Sequence, residues 1–335
     1  MSHCIIPKGY KSILTTYQTQ SAIGRLKRVF EDNLSMALNL HRVSAPLFVE
    51  PQTGLNDNLS GVERPVEFDV PETRSTAQIV HSLAKWKRMA LHKYDFSVGH
   101  GLYTDMNAIR RDEVLDNTHS IYVDQWDWEV IITDNQRCEV FLKQTVQRIA
   151  EAIYAASERL RWDYSELPAC ITRDVVFVTS QQLEDLYPLL TPEGREDAFA
   201  KEHGAVFVMK IGGKLRSGKP HGSRAPDYDD WNLNGDMIYW HEPLGRALEI
   251  SSMGIRVDEV ALDAQLTEAD CNYRRGLDFH KALLSGELPL TMGGGIGQSR
   301  LCMLLMAKAH IGEVQVSVWD DETIKTCELA GIKLL

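Results

Sequence analysis

No stretch of this 335-residue chain reaches the roughly 18 uninterrupted apolar residues that a bilayer span needs. The first residues, Met1-Ser-His-Cys-Ile-Ile-Pro7, lack an apolar core behind a basic segment, so no secretory leader is expected and a soluble, cytoplasmic protein is. The six cysteines (Cys4, Cys138, Cys170, Cys271, Cys302, Cys327) include no Cys-x-x-Cys pair, which suggests neither a disulfide framework nor a zinc site. Positive charge is also short: Lys and Arg number 36 against 47 Asp and Glu, a net charge of −11. Nucleic-acid phosphates require a basic footprint, so nucleic acid is excluded as a partner and a small-molecule substrate is favoured. Repeats, low-complexity tracts and composition breaks are absent, and residues 1–335 read as a single catalytic domain with 44% hydrophobic residues to build its core.

What the chain does have is Gly293-Gly-Gly-Ile-Gly-Gln-Ser-Arg300, running into the apolar Leu301-Cys-Met-Leu-Leu-Met306. Closely spaced glycines let a strand bring bare backbone against a flat or phosphorylated ligand, and the apolar run anchors Arg300 at a helix start. No Gly-Lys-Ser/Thr closes it as a P-loop, and no βαβ unit makes it a dinucleotide fingerprint.

Upstream, Ile23, Leu26, Val29, Phe30 and Leu34 recur at helical spacing and predict a helix over 21–38. It leads to an extended segment containing Pro46, whose ring confines it to an edge or interface over 43–49. Gly54 to Gly61 is turn chemistry, in which Asp57 reads either as an Asx turn or as a ligand group. Ser82 predicts the N-cap of a helix over 83–91, where Lys85, Lys87 and Arg88 oppose the dipole and suggest an anionic ligand. Strands are predicted over 66–70, 102–110 and 120–129. In the last, period two places Gln125 and Asp127 on one face and Asp124, Trp126 and Trp128 on the other. A long helix follows over 139–161, then a strand over 174–180. A helix opens at Thr191-Pro192 and closes at Gly204. A buried strand over 205–211 precedes a long loop, 212–235, expected to bind or cover a ligand. Strands at 237–240 and 246–257, helices near 258–268 and 277–284, and the glycine strand complete the chain. Strands outnumber crossover-length units and arrive in hairpins, so the fold class is α+β, an antiparallel sheet flanked by helices.

The segment with Pro46, the hairpin carrying Arg110-Arg111-Asp112, and Gly293 to Arg300 resemble, in that order, the three signature motifs of class II aminoacyl-tRNA synthetase catalytic cores. The runs Asn56-Asp-Asn-Leu-Ser60, Val80-His-Ser-Leu-Ala-Lys-Trp-Lys-Arg88, Tyr122-Val-Asp-Gln-Trp-Asp-Trp128, Arg224-Ala-Pro-Asp-Tyr-Asp-Asp-Trp231 and Leu248-Glu-Ile-Ser-Ser-Met-Gly-Ile-Arg256 resemble the ammonia-dependent asparagine synthetase (aspartate–ammonia ligase) family over nearly the whole chain. That resemblance implies L-aspartate, ATP and ammonia as substrates, Mg²⁺, a β-aspartyl-AMP intermediate, a homodimer, and L-asparagine, AMP and diphosphate as products.

By the same resemblance, Arg110 or its neighbour Arg111 holds the α-phosphate, Arg300 lies against adenine or phosphates, and Gly295 and Gly297 border ATP. Asp236 and Glu249 match the acidic metal positions. Lys87 and Arg256, assisted by Ser82, are candidates for the substrate α-carboxylate; Asp127, Asp229 and Gln125 for its ammonium. Ser251 and Ser252 complete the substrate set, and Asp57 is the candidate proton acceptor for ammonia. Gly222-Ser223 stand after His221 where the family pattern suggests an Asp, and the stretch from Trp231 to Asp236 is short. Two other readings share the fold: a synthetase passing its adenylate to tRNA, which the acidic chain does not favour, and a non-catalytic ligand-binding subunit, against which Arg110, Asp236, Glu249 and Arg300 all speak.

Overall fold

The computed structural model describes residues 3–335. Its first long helix, α1 (Thr16–Leu38), begins ahead of the apolar spacing because Thr15 and Gln18 form a capping box, a polar signal that hydrophobic periodicity does not carry. Asn39 in the left-handed conformation ends it. The strands that follow are β1 (Leu40–Arg42), β2 (Phe48–Val49), β3 (Glu67–Val70), β4 (Ser75–Ile79), β5 (Gly101–Ile109), β6 (Tyr122–Ile131), β7 (Val176–Thr179), β8 (Ala205–Met209), β9 (Asp229–His241), β10 (Arg246–Arg256) and β11 (Thr291–Gly297). The remaining helices are α2 (Ala84–Lys93), α3 (Glu139–Asp163), α4 (Ser180–Leu186), α5 (Pro192–His203), α6 (Glu259–Glu268), α7 (Asp278–Leu284), α8 (Gln298–Leu305) and α9 (Asp321–Leu329).

Eight strands make one sheet in the order β1-β5-β6-β11-β10-β9-β8-β7, and β2-β4-β3 make a small second sheet. The large sheet is antiparallel through its centre, but β1 pairs β5 and β7 pairs β8 in parallel, so it is mixed rather than wholly antiparallel. A strand order this far from chain order is set by long-range packing, which local pattern does not report. The extended segment over 43–49 is likewise not one edge strand. Val43 donates to Tyr103 O at 2.9 Å and Val80 donates to Leu47 O at 3.0 Å, so the segment with Pro46 passes from one sheet to the other. The loop expected over 212–235 is shorter, because β9 starts at Asp229. Helices α4 and α9 and strand β4 carry too few apolar repeats to have been foreseen.

Alternation decides which face of the large sheet does what. Trp126 and Trp128 on β6, Met253 and Ile255 on β10, and Met292 and Ile296 on β11 are fully buried in one cluster with α1, α3 and α8. Phe30 of α1 lies 4.6 Å from Trp126, ring centroid to centroid. The intervening residues of the same strands face the other way, where the start of α2 reaches β6 and β11 through Lys87. Helices α4 and α5 cover that second face toward β7, β8, β9 and the start of β10, through Leu183, Phe199, Val206, Val208, Ile238 and Ala247.

His241, at the end of β9, is fully buried and its Nε2 has no hydrogen-bond partner. Burial pushes its imidazole down from 6.5 to about 4. Above pH 6.5 neither state binds this proton; as pH falls below 6.5 the unfolded chain takes a proton that the buried ring refuses, so stability is lost until about pH 4. Unfolding free energies from urea titrations at pH 7 and pH 5 should therefore differ by about 2 kcal/mol less in His241→Leu than in the parent; equal acid slopes would contradict the assignment.

Candidate active site

The second face of β6, β11, β10 and β9, roofed by the loop of Asp57, the start of α2 and the segment 223–228, encloses a cavity of about 520 Å³. Every site residue expected from the sequence borders it except Asp236 and Ser251. Ser251 is turned away by period two: it lies on the same side of β10 as Met253 and Ile255 and donates to Gly295 O at 2.9 Å.

The floor is a row of buried charges. Arg256 donates from Nε at 3.1 Å and from Nη2 at 2.7 Å to Glu129, and from Nη1 to Asp229. Lys87 Nζ donates to Asp127 and to Gly294 O at 2.9 Å, and stands 3.9 Å from Glu129. The cations expected for a carboxylate and the acids expected for an ammonium are thus paired with each other. Three carboxylates face two cations in this row. Burial alone would push the Arg256 guanidinium down, yet Glu129 and Asp229 outweigh it and hold it above its ordinary value. Burial pushes Lys87 down despite Asp127, and pushes Asp229 up despite Arg256 and Arg224. Two openings for a ligand remain: Asp127 Oδ2 is buried without a partner, and Arg256 keeps two of its five N–H donors.

The glycines of β11 make this row possible. A Cβ on Gly293 would occupy the place of the Glu129 carboxylate and the Arg256 guanidinium, and one on Gly295 would come within 2.5 Å of Gln125 Oε1. The sequence suggested that bare backbone makes way for a ligand; at these two positions it makes way for the site's own side chains.

A second group is cationic. Arg110 Nη2 reaches His81 O at 3.4 Å, and its Nε is buried with no partner. Of the two neighbouring arginines, Arg110 lines the cavity, whereas Arg111 is exposed and outside it. Arg300, at the start of α8, donates to Thr118 O at 3.4 Å and to Glu249 O at 3.2 Å. A bulge between Glu249 and Ser251 breaks the alternation of β10, so Glu249 and Ser252 share a face although three positions apart. The Ser252 hydroxyl lies against both Asp236 and, at 3.4 Å, Glu249. Two carboxylates around one hydroxyl are an oxygen donor set that suits Mg²⁺ completed by phosphates and water. Asp236 itself stays outside the cavity wall because Arg224 Nη2 holds it at 2.5 Å.

Asp57 makes the Asx turn and also stands on the cavity wall. Oδ1 accepts the Leu59 N–H at 2.8 Å, an Asx turn, while Oδ2 accepts the Ser82 hydroxyl at 2.8 Å on the cavity wall. Ser82 is accordingly not the N-cap of α2; Leu83 holds that position. Of the three cations at the start of α2, only Lys87 meets the cavity. Lys85 is buried against Asp227 at 3.0 Å, and Arg88 donates to Val257 O at 2.6 Å and Pro289 O at 2.8 Å, so neither awaits an anion. His221 binds Glu196 at 2.9 Å, while Ser223 and Arg224 reach the cavity.

Three residues went unforeseen. Glu129 continues the period-two face of Gln125 and Asp127 and was within reach of that pattern. Arg224 and Tyr228 come from irregular backbone, which has no period to read.

Strand order, glycine strand and the Arg-bearing helix after it define a class II aminoacyl-tRNA synthetase catalytic core. An Entamoeba histolytica asparaginyl-tRNA synthetase in complex with asparaginyl-adenylate superimposes with a TM-score of 0.65 at 11% identity, over 90% of this chain and 66% of that one. A putative aspartyl-tRNA synthetase from Leishmania major gives 0.64 at 14% identity, over 90% and 64%. This chain therefore spans about two thirds of those chains, and the likeness is one of fold. The family model for aspartate-ammonia ligase matches residues 17–331. An aspartate–ammonia ligase from Lactobacillus johnsonii is 57% identical over 333 residues, 99% of each chain, and one from Ruminiclostridium cellulolyticum is 56% identical over 336 residues, 100% of each. The chain belongs to the aspartate–ammonia ligase family.

Proposed function

We propose that this protein ligates ammonia to the side-chain carboxylate of L-aspartate in two steps within the cavity. A carboxylate oxygen of aspartate attacks the α-phosphorus of ATP; the bond to the bridging oxygen breaks, leaving β-aspartyl-AMP and diphosphate. Ammonia then attacks the acyl carbon and AMP departs, giving L-asparagine. Family membership over the full length carries this reading. The site chemistry agrees with it: Arg110 and Arg224 each leave a buried Nε donor unused, and a crowded phosphorus gathering negative charge needs fixed cations. Asp236 and Glu249 would hold Mg²⁺, which supplies further positive charge to the phosphates.

For the amino acid, the unpartnered Asp127 Oδ2 is the acceptor best suited to its ammonium, with Asp229 and Gln125 beside it. Lys87 and the spare donors of Arg256 take its α-carboxylate, with Ser82 and Ser252 at the cavity wall. Arg300, Gly295 and Gly297 border ATP. With ammonium as nitrogen source, the protein should form asparagine together with AMP and diphosphate; ADP and phosphate would overturn the adenylate route. Arg110→Ala should lower kcat/KM by about 10²–10³, the scale for losing a preorganised donor. Arg111→Ala should stay close to the parent.

Ammonium dominates over ammonia at neutral pH, so the nucleophile gains from a carboxylate that takes its proton as it attacks. Asp57 fills that role from a loop at the cavity wall. In Asp57→Asn, aspartate-dependent exchange of diphosphate into ATP should persist while asparagine formation falls steeply and ammonium KM rises. Equal loss of both would reduce Asp57 to its turn.

A homodimer completes the reading. Leu47 and Phe48 are each 49% exposed, and Phe48 packs edge-on against the exposed Phe68 at 5.2 Å, an apolar face on the small sheet that two-fold pairing would cover. Sedimentation at micromolar concentration should give a dimer, and Phe48→Glu should shift it to monomer. A parent monomer with full activity would refute it.

A further inference from the structure

Outside the lining of the active-site cavity, the two ends of the described chain meet. Cys4, in the arm before α1, and Cys327, in α9, bring their sulfurs to 3.8 Å across 323 residues of sequence. A ring nitrogen of His310 lies within 4.8 Å of both sulfurs. Cys327 and His310 are fully buried, and Cys4 is half-buried. Spacing in the sequence excluded a thiol site because no two cysteines are neighbours; the tertiary fold makes two of them so.

The state of the imidazole decides what this trio can do. His310 Nδ1 accepts the N–H of Gly312 at 3.0 Å, closing the capping box of the short turn 311–313. Its lone pair is thereby committed, and in the neutral ring the proton sits on Nε2. A metal-bound histidine needs the reverse, a bare Nε2 and an Nδ1–H that donates outward. Nε2 has no hydrogen-bond partner, and a ring nitrogen stays within 4.8 Å of both sulfurs. We propose that Cys4 and Cys327 form an oxidisable dithiol that closes to a disulfide when a peroxide reaches Cys4, with His310 as the positioning residue.

The two thiols are chemically unequal. Contact with the Cys327 thiol, aided by His310, draws Cys4 down to about 5 in spite of burial, whereas Cys327 is pushed well up. Cys4 is also the more accessible sulfur, so it is the one a peroxide meets first. In the first step the Cys4 sulfur attacks a peroxide oxygen, the O–O bond breaks, and the leaving hydroxide takes the proton that Cys4 gives up, so that water departs and Cys4 is left as a sulfenic acid. Cys327 then gives up its proton and attacks the Cys4 sulfur; the S–O bond breaks, the S–S bond forms, and the departing hydroxide takes that proton as water. Two thiols and one peroxide become one disulfide and two waters, with the thiols oxidised and the peroxide reduced. The bond would fasten an arm already tied to the β5–β6 connection, where Ile5 N donates to Asn117 Oδ1 at 2.7 Å and Asn117 Nδ2 donates to Ile5 O at 2.8 Å.

Reduced, full-length protein treated with equimolar hydrogen peroxide, alkylated and digested should yield one peptide pair joining Cys4 to Cys327, two hydrogens lighter than the dithiol and separated again by dithiothreitol. Cys4→Ser, at a half-buried position next to the chain start, should abolish that pair without loss of fold, and Cys327→Ser should instead let Cys4 run on to sulfinic acid. The proposal is overturned if both cysteines remain alkylatable while Cys138 or Cys170 oxidise first. It is also overturned if the untreated protein retains one equivalent of zinc that Cys4→Ser loses, since the trio would then be a metal site. None of these readouts uses the ligase assay, so failure here and failure of the proposed activity are separable.

Discussion

The constraint on which the rest of the structure depends is the burial of Arg256 between Glu129 and Asp229. Taking an arginine and two carboxylates out of water costs several kcal/mol per ion, and removing one partner of such a group costs about 3–5 kcal/mol because the other is left uncompensated. The arrangement is tolerable only where every charge finds short, directed bonds. Glu129 accepts from Arg256 and from Thr291 Oγ1 at 2.7 Å, and Lys87 stands beside it. Three strands and one helix must therefore keep their register for this row to exist, and the glycines of β11 must stay bare. A side chain at Gly293 would occupy the space of the ion pair itself.

That rigidity is useful to a site that handles a zwitterion. Donors and acceptors fixed by one another do not have to reorganise when a ligand arrives, which is the physical content of electrostatic preorganisation. The row presents one orphaned carboxylate oxygen, on Asp127, and a guanidinium edge, on Arg256. Across the same cavity the arginines have lighter duties. Arg110 holds one long bond to a backbone carbonyl, and Arg300 rests on two backbone carbonyls and a 3.7 Å ion pair with Glu249, so Arg110 is the freer of the two to turn toward phosphate oxygens. A tight end and a loose end in one cavity suit a reaction in which a small amino acid must be held still while a polyphosphate enters and leaves.

Around this site the fold spends its apolar residues on one side. Trp126 and Trp128 pack against α1 and α3, while Asp127, between them in sequence, lines the cavity and Glu129 lies on the same side of β6, paired with Arg256. The two roles interleave along β6, so a register slip of one residue would bury Asp127 in the tryptophan layer and expose both rings. Gly254 plays a related part on β10: a Cβ there would meet Asp229 Oδ1 at 2.9 Å.

Much of this was legible in the sequence because it is local. Period two along 120–129 separated Gln125 and Asp127 from the tryptophans; the glycine strand and the helix after it marked one wall of the cavity; Thr191-Pro192 and Gly204 marked both ends of α5. The family resemblance, carried by contiguous runs, extended that reading to the residues of the cavity. Contacts remote in sequence were not legible. Nothing in the spacing of Lys85 and Lys87 says that one is neutralised by Asp227 and the other by Asp127. The bulge that puts Glu249 beside Ser252 and turns Ser251 away leaves no mark in composition. The parallel pairings of β1 and β7, the passage of the Pro46 segment between two sheets, and the meeting of Cys4 with Cys327 depend on how distant elements stack. Side-chain periodicity is a property of neighbours along the chain and is written in it, whereas the pairing of charges, thiols and strands is a property of neighbours in space, which only burial and packing of the whole molecule select.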